Sequence, residues 1–191
     1  SRSDSSLSVK ISELAGLKKR GVIIGIGSRD PDPPSKVVNP FAAQFCEVEV
    51  NMKTGEVKIL RFLGAHDSGR VMNALTYDSQ VFGGITMGIG LAMTENRVLD
   101  AGTGRMLNRN WHDYKLPTAL DVPAAMVSLP IEILSPGINT TGAKGLGEPV
   151  TIPTAAAVAN AVYHATGIRV TTSPISTMEL CRLLSERLKE G

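Results

Sequence analysis

Residues 142–149 read Gly142-Ala143-Lys144-Gly145-Leu146-Gly147-Glu148-Pro149. Gly142, Gly145 and Gly147 leave the backbone without Cβ atoms at short intervals. That permits φ > 0 and lets a ligand lie against main-chain N–H groups. A single carboxylate, Glu148, stands between Gly147 and Pro149. Proline disfavours the α region for the residue before it, so an extended Glu148 with an aimed side chain is expected. A helix then opens near Pro153, whose fixed φ suits a first helical position. Alanines at 155, 156, 157, 159, 161 and 165 let it approach a sheet or another helix closely before Gly167 ends it. A glycine turn leading into a helix explains this stretch without any ligand. A ligand-facing loop is the other reading, and the flanking chain must decide.

At 191 residues, 42% apolar and 20% charged, the chain is long enough for a sizeable core and of ordinary globular composition. A net charge of +2 gives no reason to expect nucleic acid or an anionic membrane as partner. No apolar run approaches a membrane span, and the polar start Ser1-Arg2-Ser3-Asp4 does not read as a signal peptide. Cys46 and Cys181 form no metal or redox spacing and read as small buried apolar residues of a reducing compartment, which implies a cytoplasmic location.

Upstream of the loop, Ser12–Gly21 reads as a short helix, with Ser12 as cap and Lys18, Lys19 and Arg20 in the last turn. A strand over Val22–Ile26 and an irregular, proline-rich connection over Arg29–Pro40 follow. The clearest signal is a hairpin. Cys46, Val48 and Val50 alternate with Glu47, Glu49 and Asn51, and the turn Met52-Lys53-Thr54-Gly55 supplies a glycine for a left-handed position. The return strand is expected from Glu56 to about Leu63, with a bulge or full burial where the alternation slips after Ile59.

Gly64–Thr76 has no clear period, and His66 beside Asp67 is either an acid–base pair or an ordinary loop His next to a turn-forming Asp. Asp78–Asn96 reads as a helix despite Gly83, Gly84, Gly88 and Gly90, each costing about 0.8–1 kcal/mol against alanine. Such a helix needs something packed on its bare backbone, either another helix or a ligand that Gln80 could bond. Val98–Trp111 reads as strand, turn and return; Val127–Leu134 as a buried strand; Ile168–Thr172 as a short strand. The last helix opens on Ser176-Thr177-Met178-Glu179, a capping-box pattern, with Leu180, Leu183, Leu184 and Leu188 as its apolar stripe. Standard cofactor fingerprints fail: Gly137 to Lys144 lacks the Gly-Lys-Ser/Thr of a phosphate loop, and Gly25-Ile26-Gly27 lacks a third glycine. Physics alone yields an α+β domain with a glycine-lined cavity and one aimed carboxylate.

Several ordered stretches also resemble the C-terminal part of the molybdenum-binding subunit of the xanthine dehydrogenase/aldehyde oxidase family. They are Cys46-Glu47-Val48-Glu49-Val50 with Thr54-Gly55-Glu56-Val57, the segment His66-Asp67-Ser68-Gly69-Arg70-Val71-Met72-Asn73, the glycine helix from Gln80 to Ala92, Asp113-Tyr114-Lys115-Leu116-Pro117-Thr118, and the loop Gly142–Pro149. The resemblance covers nearly the whole chain. It departs from the family at Ala74, where proline is usual, at Met87, where glutamine is frequent, and at the start of the last helix.

The resemblance implies an α+β second molybdenum-cofactor-binding domain, with mixed-sheet hairpins and packed helices. On that reading residues 1–191 are a C-terminal molybdopterin-binding domain, in one piece or in two lobes at about 20–100 and 101–191, either a piece of a subunit several times longer or one part of a split subunit. It implies a hydroxylase that inserts water-derived oxygen into an aldehyde or N-heterocycle carbon. The molybdenum would be held by a pyranopterin, with or without a nucleotide, and by no protein ligand. Iron–sulfur clusters and FAD would sit on other domains or subunits. Glu148 matches the general base, and Gln80 the glutamine that bonds the pterin. Ala143, Lys144, Gly145 and Gly147 would line the same cavity. The implied partners are the remainder of the molybdenum subunit, the iron–sulfur and flavin parts and a small-molecule substrate. A non-catalytic cofactor-binding or assembly module is the alternative, and a stand-alone α+β protein using the loop for an unrelated anion is the third reading.

Overall fold

The computed structural model describes residues 6, 8–10, 13–14, 16, 24–28, 37–135 and 139–190. The chain divides into two units, Ser1–Lys36 and Val37–Gly191. In the first unit, the helix expected over Ser12–Gly21 lies largely outside the described residues. Of the expected strand Val22–Ile26, residues 24–26 are irregular, with Ile24 and Ile26 exposed and no strand pairing with them among the described residues.

In the second unit, β1 (Phe41–Val50) and β2 (Val57–Asp67) form the expected hairpin. Asn51 ties its turn: Oδ1 accepts from the N–H groups of Lys53 and Thr54 at 3.0 and 3.2 Å, and its carbonyl accepts from Gly55 at 2.8 Å. Gly55 sits at φ +73°, as the turn requires, and a Cβ there would also lie 2.6 Å from the Cys181 backbone nitrogen. The register steps from Val48↔Ile59 to Glu47↔Arg61 and leaves Leu60 unpaired, so the slip in alternation is a β-bulge. The return strand does not stop at Leu63 but runs on through Asp67, pairing Phe41 with Asp67 and Ala42 with His66. Gly64 and Ala65 hid this continuation, because residues so small carry no alternation to read.

β3 (Ala125–Ile131) lies parallel to β2, and the three-stranded mixed sheet has the order β1-β2-β3. The buried strand expected over Val127–Leu134 is therefore an edge strand, shifted two to three residues upstream. Val127, Leu129 and Ile131 stay exposed because helices cover only the other face of the sheet among the described residues. The expected hairpin over Val98–Trp111 is reduced to one bridge, Leu99↔Met106, held by the buried Asn108, whose amide donates to the Asn96 carbonyl at 2.6 Å.

The covered face packs on α1 (Ala74–Met93), which begins four residues before the expected Asp78. Asn73 caps it by accepting from the Thr76 N–H at 3.0 Å, worth about 1 kcal/mol. Tyr77, Val81, Ile85, Ile89 and Ala92 recur at helical spacing and meet Phe62 of β2 in the core. The chain returns through α2 (Gly147–Thr151) and α3 (Thr154–Thr166), the latter ending at Gly167 with φ +70° as its C-cap. Val158 and Val162 of α3 complete the core beside α1 and β1.

The strand expected over Ile168–Thr172 is irregular. Arg169 folds back onto α3, its guanidinium 3.8 Å over the Tyr163 ring and bonded to Asn160 Oδ1 at 2.7 Å. α4 (Thr177–Glu190) opens on half of the anticipated capping box. Ser176 Oγ accepts from the Glu179 N–H at 3.3 Å, but the Glu179 carboxylate is taken by Arg182. Leu180 and Leu184 are buried, Leu183 is half-buried, and Leu188 is exposed. Both cysteines are free and half-buried rather than fully buried; burial pushes the Cys46 thiol up to about 12. No helix among the described residues is long and apolar enough to cross a membrane.

Candidate functional site

The glycine loop is fastened at its upstream end. Asp67, the last residue of β2, is buried and accepts from Lys144 Nζ at 2.6 Å and from the N–H groups of Gly69 and Ile133 at 2.9 and 3.3 Å. The Asp67 and Lys144 side chains are only 5% and 6% exposed. Burial pushes the Asp67 carboxyl up, but the Lys144 ammonium and the two N–H groups outweigh it and hold the acid below its ordinary value. The Lys144 N–H donates to the Ser68 carbonyl at 2.6 Å, the Arg70 N–H to Gly142 at 3.0 Å, and Asn139 Nδ2 to the Ala143 carbonyl at 2.7 Å.

His66 and Asp67 are not an acid–base pair. Successive strand residues point to opposite faces, so Asp67 reaches Lys144 while His66 turns toward Gln44, with 3.1 Å between His66 Nε2 and Gln44 Nε2. Burial lowers the His66 imidazole below its ordinary value, which favours the neutral ring.

Downstream of Lys144 the loop opens. Gly145 and Gly147 are exposed, and their N–H groups meet no acceptor among the described residues. Glu148 is not extended, as Pro149 led one to expect, but lies in the first turn of α2. Proline is tolerated there because first-turn N–H groups have no intrahelical partner, and the tight Gly147–Thr151 turn outweighs the preference of a pre-proline residue. No side chain caps α2 or α3, so Glu148 does not serve as a helix cap.

The Glu148 side chain is exposed and borders a cavity of about 730 Å³ with Gln80, Gly83, Met87, Gly147 and Thr151. Ala143 and Lys144 border a smaller cavity of about 180 Å³ that Gln80 also lines, so Gln80 stands at both. Gly145 borders neither.

Among the α1 glycines, Gly84 and Gly88 differ from Gly83. A Cβ on Gly84 would lie 2.6 Å from Val150 Cβ, and one on Gly88 would press into Thr154, with Cγ2 and Oγ1 at 2.7 Å. Those two admit another helix. A Cβ on Gly83 would meet no atom within 4 Å, so protein packing leaves that bare backbone unexplained, and it faces the cavity. A Cβ on Gly147 would come 3.5 Å from Gln80 Oε1, and the Gln80 amide has no partner among the described residues. An open backbone stretch, a free amide and a carboxylate thus surround a space of ligand size. No group of three His, Cys, Asp or Glu side chains gathers at a point among the described residues.

Gln44 and Thr154 escaped the sequence reading, although one signal existed. Gln44 shares the inward parity of Cys46, Val48 and Val50 on β1, and a polar residue on a covered face must find partners.

Residues 12–123 match the model of the molybdopterin cofactor-binding domain, and the chain belongs to that family. It is 42% identical over 140 residues to the xanthine dehydrogenase molybdenum-binding subunit of Escherichia coli O157:H7, covering 73% of this chain and 18% of that one. It is 40% identical over 140 residues to the aldehyde oxidoreductase molybdenum-binding subunit PaoC of Escherichia coli K12, covering 73% and 19%. Its structure matches reconstituted CO dehydrogenase from Oligotropha carboxidovorans with a TM-score of 0.70 and 27% identity over 82% of this chain and 19% of that one. The chain thus spans less than a fifth of the length of these relatives, and the resemblance read from the sequence is borne out by them.

Proposed function

We propose that this chain forms the base-bearing wall of the active site of a molybdenum hydroxylase, acting on an aldehyde or N-heterocycle carbon with oxygen from water. The observation that carries it is one carboxylate, Glu148, exposed on a cavity that the bare backbone at Gly83 and the Gln80 amide, free among the described residues, also line. When bound, molybdopterin supplies the molybdenum that takes up two electrons from the substrate. The residues present fit such a group, because the cavity has the volume of a small-molecule site and protein atoms leave the backbone beside it open.

In this reading the Gln80 amide and the unpaired Gly147 N–H would hold the pterin, while Gly145, which borders neither space, would only leave the loop backbone open beside it. Ala143 lines the smaller space beside Gln80. Lys144 borders that space but has spent its ammonium on Asp67 and its N–H on Ser68, so it holds the loop to β2. Glu148, exposed at the cavity, accepts the proton of the attacking oxygen. The rest of the subunit supplies the facing wall, and iron–sulfur and flavin parts carry the electrons onward.

Glu148→Gln in the full-length, cofactor-loaded enzyme tests this. It keeps shape but cannot accept a proton, so reduction by substrate falls by about 10²–10⁴-fold at unchanged cofactor content. Normal turnover per bound molybdenum refutes the base and leaves the non-catalytic module.

A further inference from the structure

The strongest feature outside the cavity is a buried polar knot under Glu148. Gln44 projects from β1 beneath the α2–α3 corner. Its Nε2 donates to the Val150 carbonyl at 2.7 Å and stands 3.1 Å from His66 Nε2. Its Oε1 accepts from the Thr154 hydroxyl at 2.7 Å. This fixes the amide and ring protons, while the Thr154 hydroxyl also lies 3.2 Å from the Val150 carbonyl. Turning the amide over would set Oε1 against the Val150 carbonyl, so Nε2 must be the group that faces Val150 and His66. An amide nitrogen only donates, so His66 Nε2 accepts and the ring proton sits on Nδ1. That Nδ1 is buried and meets no partner among the described residues, the orphan left by this arrangement. Gly64, opposite Gln44 in the register, makes the room: a Cβ there would lie 3.0 Å from His66 Nε2.

The knot grips the segment that carries Glu148 from one side while α1 closes on the other. Val150 and Thr154 are fully buried, and each lies against a glycine of α1, Gly84 and Gly88. Val150 is two residues from Glu148 in a helix of one turn, too short to hold its own direction. Whatever fixes the Val150 carbonyl therefore fixes the bearing of Glu148 on the cavity.

We propose that Gln44 is a positioning residue for Glu148, acting through Val150 and Thr154 with neutral His66 as its anchor. The role in turnover rests on Glu148 being the base; the grip on α2 does not.

The experiment uses the full-length, cofactor-loaded enzyme carrying Gln44→Leu, with Thr154→Val and Thr154→Ser as companions, and reads amide hydrogen exchange together with single-turnover reduction by substrate. Gln44→Leu should raise exchange across 150–154 by about tenfold or more, beyond any change elsewhere in the sheet. It should also lower kcat by about tenfold with KM and cofactor content nearly unchanged, since a wandering base costs the chemical step. Thr154→Val, which keeps the packing on Gly88 but not the hydroxyl, should shift both readouts the same way, and Thr154→Ser should restore most of the loss. Exchange at 150–154 unchanged in both Gln44→Leu and Thr154→Val overturns the proposal. So does loosened exchange with full turnover while Glu148→Gln is inactive, since the knot would then be structural only. If Glu148→Gln itself keeps normal turnover, the base assignment has failed instead, and the exchange result alone decides whether Gln44 holds α2.

Discussion

Two glycines of α1, five residues apart, should answer the same substitution with opposite signs. Alanine in place of glycine in a helix interior gains about 0.8–1 kcal/mol from propensity alone. At Gly83 nothing lies within 4 Å of the new methyl, so Gly83→Ala should keep that gain. At Gly88 the methyl enters Thr154, which is anchored in α3 and fully buried, and no flexible side chain can swing aside. Overpacking of this kind costs about 1–3 kcal/mol, and the hydroxyl of Thr154 is also committed to Gln44, so the upper half of that range applies. The net for Gly88→Ala is a loss of about 1–2 kcal/mol. For a domain of this size that is a fall of roughly 2–8 °C in melting temperature, against a rise of about 2–4 °C for Gly83→Ala. Urea unfolding of both variants, with unchanged m-values as the check on two-state behaviour, reads the difference. In the loaded enzyme the signs should cross: Gly83→Ala fills space beside the cavity and should lower cofactor retention while stabilising the fold. A Gly88→Ala variant as stable as Gly83→Ala would refute the close approach of α1 to the α2–α3 corner.

The remaining expectations concern the fastening of the loop. Lys144→Met or Asp67→Asn alone breaks a buried ion pair and should cost about 3–5 kcal/mol, whereas Asp67→Leu with Lys144→Met should cost much less than the sum of the single changes; a double-mutant cycle by urea unfolding measures this. Because the folded Asp67 carboxyl is held below its unfolded value of about 3.9, its contribution is present above that pH and lost as pH falls through the folded value, so Asp67→Asn should flatten the acid limb of the stability curve. The folded His66 imidazole is likewise lowered, so its neutral state adds stability above about pH 6.5 that declines as pH falls, and His66→Gln should remove that slope.

The hairpin, the long helix, the alanine helix and the last helix were all legible because each carries a period and a stop of its own. Alternation and Gly55 specify the hairpin; Gly167 ends α3; Ser176 starts α4. The elements misread were those whose order comes from neighbours. β3 was expected as a strand, but its place at an exposed sheet edge is set by its pairing with β2, and Ile168–Thr172 is not a strand because Arg169 finds Tyr163 and Asn160 first. In the site, Gln80, Gly147 and Glu148 do meet at one cavity. The pre-proline rule misjudged Glu148 because a local bias near one dipeptide yields to a helical turn stitched to α1 and β1 on both sides.

Sequence groups Ala143, Lys144, Gly145 and Gly147 as one ligand-lining run, but the hydrogen bonds divide it. Up to Lys144 the loop spends its polar groups on the chain: Gly142 and Lys144 bridge to the residues following β2, Asn139 holds the Ala143 carbonyl, and the ammonium is buried on Asp67. From Val150 onward the chain is pinned again, by Gln44 and by the bare face of α1. Between these two fastenings lie Gly145, Leu146, Gly147 and Glu148, whose N–H groups, like the Glu148 carboxylate, meet no partner among the described residues. A rigid span with unclaimed N–H groups and one free carboxylate is what a bound cofactor and a proton transfer both require, since neither tolerates a base that drifts by an ångström. The two fastenings start from neighbouring positions on β2, His66 and Asp67, which face opposite sides of the sheet. The dipeptide that invited an acid–base reading therefore works as two anchors. His66 seats the amide under the far end of the span, and Asp67 holds the ammonium at the near end.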